Sequence, residues 1–407
     1  MQFKRLPSLL ARWFAPALLC AVALVENAAA QGASERPVVY RLPAMENVIV
    51  KKDIVYKTVD GASLKMDVYY PLQMGKTDKL PLVIFNNGVG ALEIPQWRVY
   101  QDWARLAAAS GLIAVNYQSR PNAAFKDSED MLEYLRQNAG ALQIDENRIG
   151  LWSCSGNVNV GLPLVMQANR PYIRCAVIYY GMANVQTFRQ KLPLLLVRAG
   201  QDSYSLNRAI DEFVKNALAR ELNLEFINYL EGQHAFDILD DNDRSRKIIK
   251  QTLDFLATHL TAKEEALAAD ETVLTATTFY NMMAQGQSDN ALQQYRQARE
   301  KFSGHPFYHW VMQENGLNDL GYQLLQNNRS KEALEVMKIN AANHPSSPNV
   351  FDSLGDIYEA TGDTAMAIQN AKKALELLRS DGAALPENFR NAIQESAEGK
   401  LERLKKR

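Results

Sequence analysis

The sequence predicts an α/β domain built on a mostly parallel sheet, followed by an all-α domain of helical repeats. Three observations carry this prediction. Between Asn47 and about His259, β-type apolar runs alternate with helical patterns, the order expected of a sheet covered on both faces. After His259 no β-type run recurs, and Ala/Leu/Gln/Glu-rich helices continue to the C-terminus. Within that second half, Leu320-Gly321 and Leu354-Gly355 are offset by 34 residues, as are Ala333 and Ala367.

Apolar runs place eight strands at Val48–Thr58, Leu64–Tyr70, Leu82–Asn86, Leu112–Tyr117, Ile149–Ser153, Ala176–Tyr180, Leu194–Arg198 and Leu224–Tyr229. Apolar residues at helical spacing fall at Gln96–Ser110, Ser128–Asn138, Gly156–Ala168, Leu206–Ala219 and Asp243–His259. Pro163 lies inside the third of these helices, where it removes a hydrogen bond and predicts a bend. Only a short stretch, Gly181–Pro193, separates the strand ending at Tyr180 from the next, too little for a large lid.

In the second half, Tyr358, Ala371, Ala374 and Pro345 join the 34-residue offsets in a pattern that resembles the tetratricopeptide repeat. A more degenerate copy spans Thr272–Phe302, with Ala291, Tyr295 and Ala298. Small residues at these points let paired helices approach closely. The resemblance implies a concave interaction surface or a dimerisation module. The basic tail from Lys400 to Arg407 reads as a solvated helix end, its cations offsetting the helix dipole.

The N-terminus reads as an export signal. Lys4, Arg5 and Arg12 precede an uncharged stretch from Trp13 to Val25, and Ala28-Ala29-Ala30 follow it. That stretch is shorter than the ~20 residues needed to cross a bilayer, so cleavage near Ala30 and a periplasmic or secreted product are expected. The expected division is therefore a signal peptide (1–30), an α/β domain (31–260) and a helical domain (261–407). The 407 residues are 47% hydrophobic and 22% charged, which fits a folded chain. The full chain carries 45 basic and 46 acidic side chains, and the mature chain, without the signal, is left near −3. No global positive field exists to draw nucleic acid. Cys154 and Cys175 remain after cleavage, but the strand reading holds them apart, against a disulfide. No CxxC or HExxH spacing suggests a metal, and no cofactor is expected.

The chemistry centres on Asp145-Glu-Asn-Arg-Ile-Gly-Leu-Trp-Ser-Cys-Ser-Gly-Asn157, which reads strand, sharp turn, helix and presents Ser155 at the turn. Such a bend exposes a hydroxyl beside the amides of a helix N-terminus. A serine nucleophile needs a base. Of five histidines, His305, His309 and His344 lie in the helical half and His259 ends an amphipathic helix, which leaves His234 in Glu231-Gly-Gln-His-Ala-Phe236. Asp202 follows the apolar run from Leu194 and a glycine turn, and Ser203 or Ser205 can cap the next helix in its place.

These segments, with Asp67-Val-Tyr-Tyr-Pro71, resemble the α/β-hydrolase superfamily, in particular its dienelactone hydrolase and carboxylesterase-like branch. The resemblance covers about Asn47 to His259 and implies a triad in the chain order Ser155, Asp202, His234. The elbow pattern G-x-S-x-G is altered here to Ser153 and Asn157 at its two glycines. Cys154 offers a rival register, but Trp152 would then occupy a turn position too tight for it. For the oxyanion hole the resemblance points to Phe85-Asn-Asn-Gly-Val-Gly90, where Gly88 or Val89, with Gly156, would supply backbone donors. Trp97, Trp103 and Trp152 are read as core rather than cleft. The resemblance thus implies an exported serine hydrolase of small or soluble carboxylic esters, with peptides or lactones as other substrate classes. The helical domain would bind a protein partner or a second copy. The alternative is an inactive hydrolase-like interaction scaffold.

Overall fold

The computed structural model describes residues 32, 34–75, 77–87, 89, 91–261, 274–304, 309–380 and 385–405. The expected signal peptide and its cleavage at Ala30, the oxyanion candidate Gly88, and His305 lie outside the described residues. The chain divides into two compact units, residues 1–269 and 270–407.

The first unit is built on an eight-stranded, mostly parallel sheet, as the sequence predicts. Its strands are β1 (Ile49–Val59), β2 (Ala62–Tyr70), β3 (Leu80–Asn86), β4 (Ile113–Tyr117), β5 (Ile144–Cys154), β6 (Ile173–Tyr179), β7 (Leu194–Ala199) and β8 (Leu224–Tyr229), in the spatial order 1-2-4-3-5-6-7-8. β1 and β2 form a hairpin, β2 runs antiparallel to β4, and every pair from β4–β3 onward is parallel. The hairpin turns at Asp60-Gly61, both with positive φ (51° and 79°), the backbone that a two-residue turn between twisted strands requires.

Five helices cover the sheet: α1 (Arg98–Ala109), α2 (Ala124–Gln137), α3 (Val158–Val165), α4 (Tyr204–Ala219) and α5 (Asp243–Thr261). Alternate residues of a strand face opposite sides, so β6 sends Ala176 and Ile178 to one core and Cys175, Val177 and Tyr179 to the other. The first core is completed by α2, α3 and α4, through Leu132, Leu162 and Phe213, and the second by α1 and α5, through Trp103 and Leu256. Burial on both faces explains why β3, β6 and β7 are nearly continuous apolar runs.

Two elements differ from their sequence patterns. β5 starts at Ile144 rather than Ile149, because Ile144 pairs with Leu80 ahead of a register shift, although the intervening residues are polar. The helix after the nucleophile is the short α3, since residues 155–157 form a 3-10 turn before it. Pro163 sits within α3 and offers no N–H to the turn behind it. Cys154 and Cys175 are buried, unpaired thiols. Cys175 pairs in register with Gly150, four residues before Cys154 along β5.

In the second unit, α6 (Ala276–Ala284) and α7 (Ser288–Lys301) precede α8 (Glu314–Gln326), α9 (Ser330–Asn343), α10 (Pro348–Ala360), α11 (Thr364–Ser380) and α12 (Glu387–Lys405). α8 and α10 begin 34 residues apart, as do α9 and α11. Small residues sit where helices close on one another. A Cβ on Gly321 would lie 2.6 Å from Met337 Cε, and Ala333 and Ala367 are fully buried. Lys400 corrects the solvated-tail expectation. It is fully buried, and its Nζ donates to Asp352 O (2.6 Å) and pairs with Asp352 Oδ1 (3.0 Å) and Asp356 Oδ1 (2.6 Å). A buried ammonium needs such partners to offset its lost hydration.

Candidate active site

Ser155 follows the last residue of β5, where an extended Cys154 (φ −133°) gives way to a left-handed Ser155 (φ 51°). That conformation is costly for a residue with a Cβ, of order 1–3 kcal/mol, and persists only where its surroundings impose it. Gly181, just beyond β6, is one such constraint. A Cβ there would lie 2.4 Å from Ser155 O and 2.9 Å from Ser155 N, so the turn is seated against bare backbone.

His234 and Asp202 come from the loops after β8 and β7. Gly200 lets those loops meet: its N–H donates to Tyr229 O (2.7 Å), and Gln201 N–H donates to Gly232 O (2.9 Å). A Cβ on Gly200 would stand 2.2 Å from Leu230 O. The histidine loop is further tied by Asp240, whose carboxylate accepts from Gln233 N (3.0 Å) and Gln233 Nε2 (2.8 Å).

The three side chains form one hydrogen-bonded chain. His234 Nε2 lies 2.8 Å from Ser155 Oγ, and His234 Nδ1 lies 2.5 Å from Asp202 Oδ2. With Nδ1–H donating to the carboxylate, Nε2 presents a lone pair to the serine hydroxyl. Asp202 Oδ1 accepts from Ser203 N–H (2.7 Å), while Ser203 Oγ caps α4 by accepting from Leu206 N–H (3.3 Å). The helix cap therefore does not compete for the Asp202 oxygen that faces His234. Cys154 is unsuited to the nucleophile's part. Burial, with the charge of Asp237 adding to it, pushes its thiol up to about 12.

The two altered glycines of the elbow have defined partners. Asn86 Nδ2 donates to Ser153 Oγ (3.0 Å) and Asn157 O (3.1 Å), and Tyr117 OH donates to Asn86 Oδ1 (2.6 Å). Asn157 Nδ2 donates to Tyr100 OH (3.0 Å). Asn157 Oδ1 accepts the Val89 N–H at 2.9 Å, which corrects the expectation that this amide faces an oxyanion. An amide hydrogen already held at that distance is not free for a second acceptor. Nothing in the glycine pattern signalled this, because the bond links two loops far apart in sequence.

Ser155, Gly156 and His234 open onto a cavity of about 360 Å³, at the small end of ligand sites. Ile94, Trp97, Val99 and Ile238 supply apolar wall, and among the described lining residues there is no lysine, arginine, aspartate or glutamate. Trp97 thus lines the cleft, contrary to its reading as core. Trp103 and Trp152 are fully buried and pack against each other, their ring centroids 5.1 Å apart and their planes tilted by 39°.

No family model matches the chain, and no curated protein does. The solved structures it is similar to include esterase 2 of Thermogutta terrifontis phosphoramylated by tabun (16% identity, TM-score 0.41, covering 54% of this chain and 98% of that one). An esterase from Rhizomucor miehei (14%, 0.45, 57% and 88%) and a thermostable esterase from Pseudomonas putida (14%, 0.46, 58% and 89%) are also among them.

Proposed function

We propose that the α/β unit is a serine hydrolase of small, uncharged carboxylic esters. One observation carries the reading: an unbroken Ser155–His234–Asp202 hydrogen-bonded chain that opens onto a cavity with no lysine, arginine, aspartate or glutamate among its described lining residues. In this reaction Ser155 Oγ attacks the ester carbonyl as His234 Nε2 takes its proton, and Asp202 stabilises the imidazolium that forms. The proton then passes to the departing alkoxide, leaving an acyl group on Ser155. Water attacks that acyl-enzyme with His234 again as base, and the acid is released. Gly156, in the helical turn that begins at Ser155, supplies a backbone donor for the oxyanion. A charged acyl group would enter this apolar pocket without a counter-charge, which is costly.

The same proposal takes the chain to be exported after cleavage near Ala30, supported by the charge and apolar order of the first thirty residues. The helical unit is proposed as a tetratricopeptide-like module for a protein partner or a second copy, supported by its 34-residue helix spacing. Among the described residues, no helix is long and apolar enough to cross a membrane.

Hydrolysis of p-nitrophenyl acetate, butyrate and palmitate tests the reading. The two short esters turn over faster than palmitate, and Ser155→Ala or His234→Ala loses at least about 10³-fold. A folded chain with no turnover favours the interaction scaffold instead, and equal turnover by Ser155→Ala removes Ser155 from the reaction.

A further inference from the structure

The His234 imidazole is held at both ends, by Ser155 at Nε2 and Asp202 at Nδ1. Hydrogen bonds yield to small rotations of the side chain about its Cα–Cβ and Cβ–Cγ bonds, and a ring packed beside the imidazole limits them. Tyr180 packs there, its ring centroid 4.8 Å from the imidazole's and its plane tilted 57° to it.

Tyr180 is itself under constraint. It follows β6 with φ 31°, a backbone region costly for a bulky residue. Its N–H donates to Val197 O (2.9 Å) and its hydroxyl to Asp237 Oδ1 (2.6 Å). Asp237 is fully buried, and its other oxygen accepts from Trp103 Nε1 (2.8 Å). Among the described residues no lysine or arginine lies within ion-pair distance of it. Burial raises this carboxyl above its ordinary range, while the Trp103 and Tyr180 donors and the nearby His234 work in the opposite direction. A buried carboxylate with no cation beside it is expensive, so its use as a double acceptor calls for a reason. Trp103 cannot move to accommodate it, being packed against Trp152 (5.1 Å) and Tyr179 (5.8 Å). A rigid path therefore runs from the core through Trp103 and Asp237 to the Tyr180 ring.

We propose that Asp237 is a positioning residue of the triad: it anchors the Tyr180 hydroxyl, so that the Tyr180 ring stays packed against His234 and limits the imidazole's rotation away from Ser155. This rests on reading Ser155, His234 and Asp202 as catalytic. Asp237 touches no reacting atom and acts through Tyr180.

The test uses the full chain with Asp237→Asn and Tyr180→Phe, the second of which keeps the ring and removes only the anchor. Two readouts are taken: saturation kinetics of inactivation by a fluorophosphonate, and the downfield Nδ1 proton resonance of His234, assigned by its absence in His234→Gln. In both variants kinact falls about tenfold or more, KI stays within twofold, and the resonance broadens or is lost. A role in stability alone would leave both readouts unmoved. Parental kinact and resonance in both folded variants overturn the proposal. If Asp237→Asn does not fold, Tyr180→Phe decides alone. A parent chain that never reacts with the probe defeats the hydrolase reading, and the resonance then judges the clamp by itself, its loss supporting the proposal and its persistence overturning it.

Discussion

Ser153 stands where the elbow motif ordinarily has glycine, and the residue that makes room for it is Gly161, one helical turn into α3. A Cβ on Gly161 would lie 2.0 Å from Ser153 Oγ and 2.8 Å from Asn86 Nδ2. The glycine has in effect moved from the turn to the helix that packs over it. Gly161→Ala is therefore expected to destabilise the chain by about 1–3 kcal/mol through overpacking. Adding Ser153→Gly removes the nearest clash, so the two substitutions together cost less than the sum of each alone. Urea unfolding of the four-member cycle measures the coupling, expected at about 0.5–3 kcal/mol for contacting residues. Additive effects would contradict the pairing.

At the scale of elements, the outer strands and α2 are joined by Asp127, whose carboxylate accepts from Lys57 Nζ (2.5 Å) on β1 and from Arg120 Nη2 (2.8 Å) and Nε (3.0 Å). Burial alone would raise this carboxyl, but the hydrogen bonds from Arg120 and Lys57 outweigh it and hold it down at about 2. As pH falls below the ordinary carboxylate value, the unfolded chain takes up a proton that the folded chain still refuses, and folding loses stability. The contribution is thus complete above the unfolded value and gone once pH has fallen through about 2. Asp127→Asn is expected to be less stable than the parent at pH 6, with the gap narrowing by pH 3. Urea midpoints at the two pH values check this, and a constant gap would contradict it.

The elements were legible wherever a short-range pattern governs them. Leu224–Tyr229 is a strand with the expected limits, because its apolar run is bounded by turns. That Ser155, Asp202 and His234 each follow an apolar run was visible in the same way, whereas their reading as one triad came from the family resemblance. What escaped the pattern depends on contacts between distant segments. The polar start of β5 is a strand only because Ile144 meets Leu80. Lys400 is buried only because Asp352 and Asp356 wait for it on another helix. The Val89 amide is occupied only because Asn157 reaches across to it. Tyr180 and Asp237 left no local signal, since a tyrosine just past a strand and an aspartate in a single helical turn, Phe236–Leu239, are both ordinary.

At the scale of the molecule, the apolar cores of the two units share no residue among those described: the cores of the first end at Leu260 and those of the second begin at Leu274. Every side chain placed in the candidate site belongs to the first unit. A chain cut to residues 32–261 is accordingly expected to fold cooperatively and to keep the reactivity of Ser155, since each unit buries its own core. Circular dichroism melting of the fragment, with probe labelling beside it, checks this. A fragment that is unfolded or unreactive would show that the site depends on the helical half.

The central claim is that the turn after β5, the loop after β7 and the loop after β8 together activate one serine. Its most direct measurement is labelling of the full chain with a fluorophosphonate, read by intact mass and peptide mapping, with Ser155→Ala and Cys154→Ala alongside. The account predicts a single adduct on Ser155, absent in Ser155→Ala and retained in Cys154→Ala. No adduct on the folded chain, or an adduct elsewhere that survives Ser155→Ala, would contradict it.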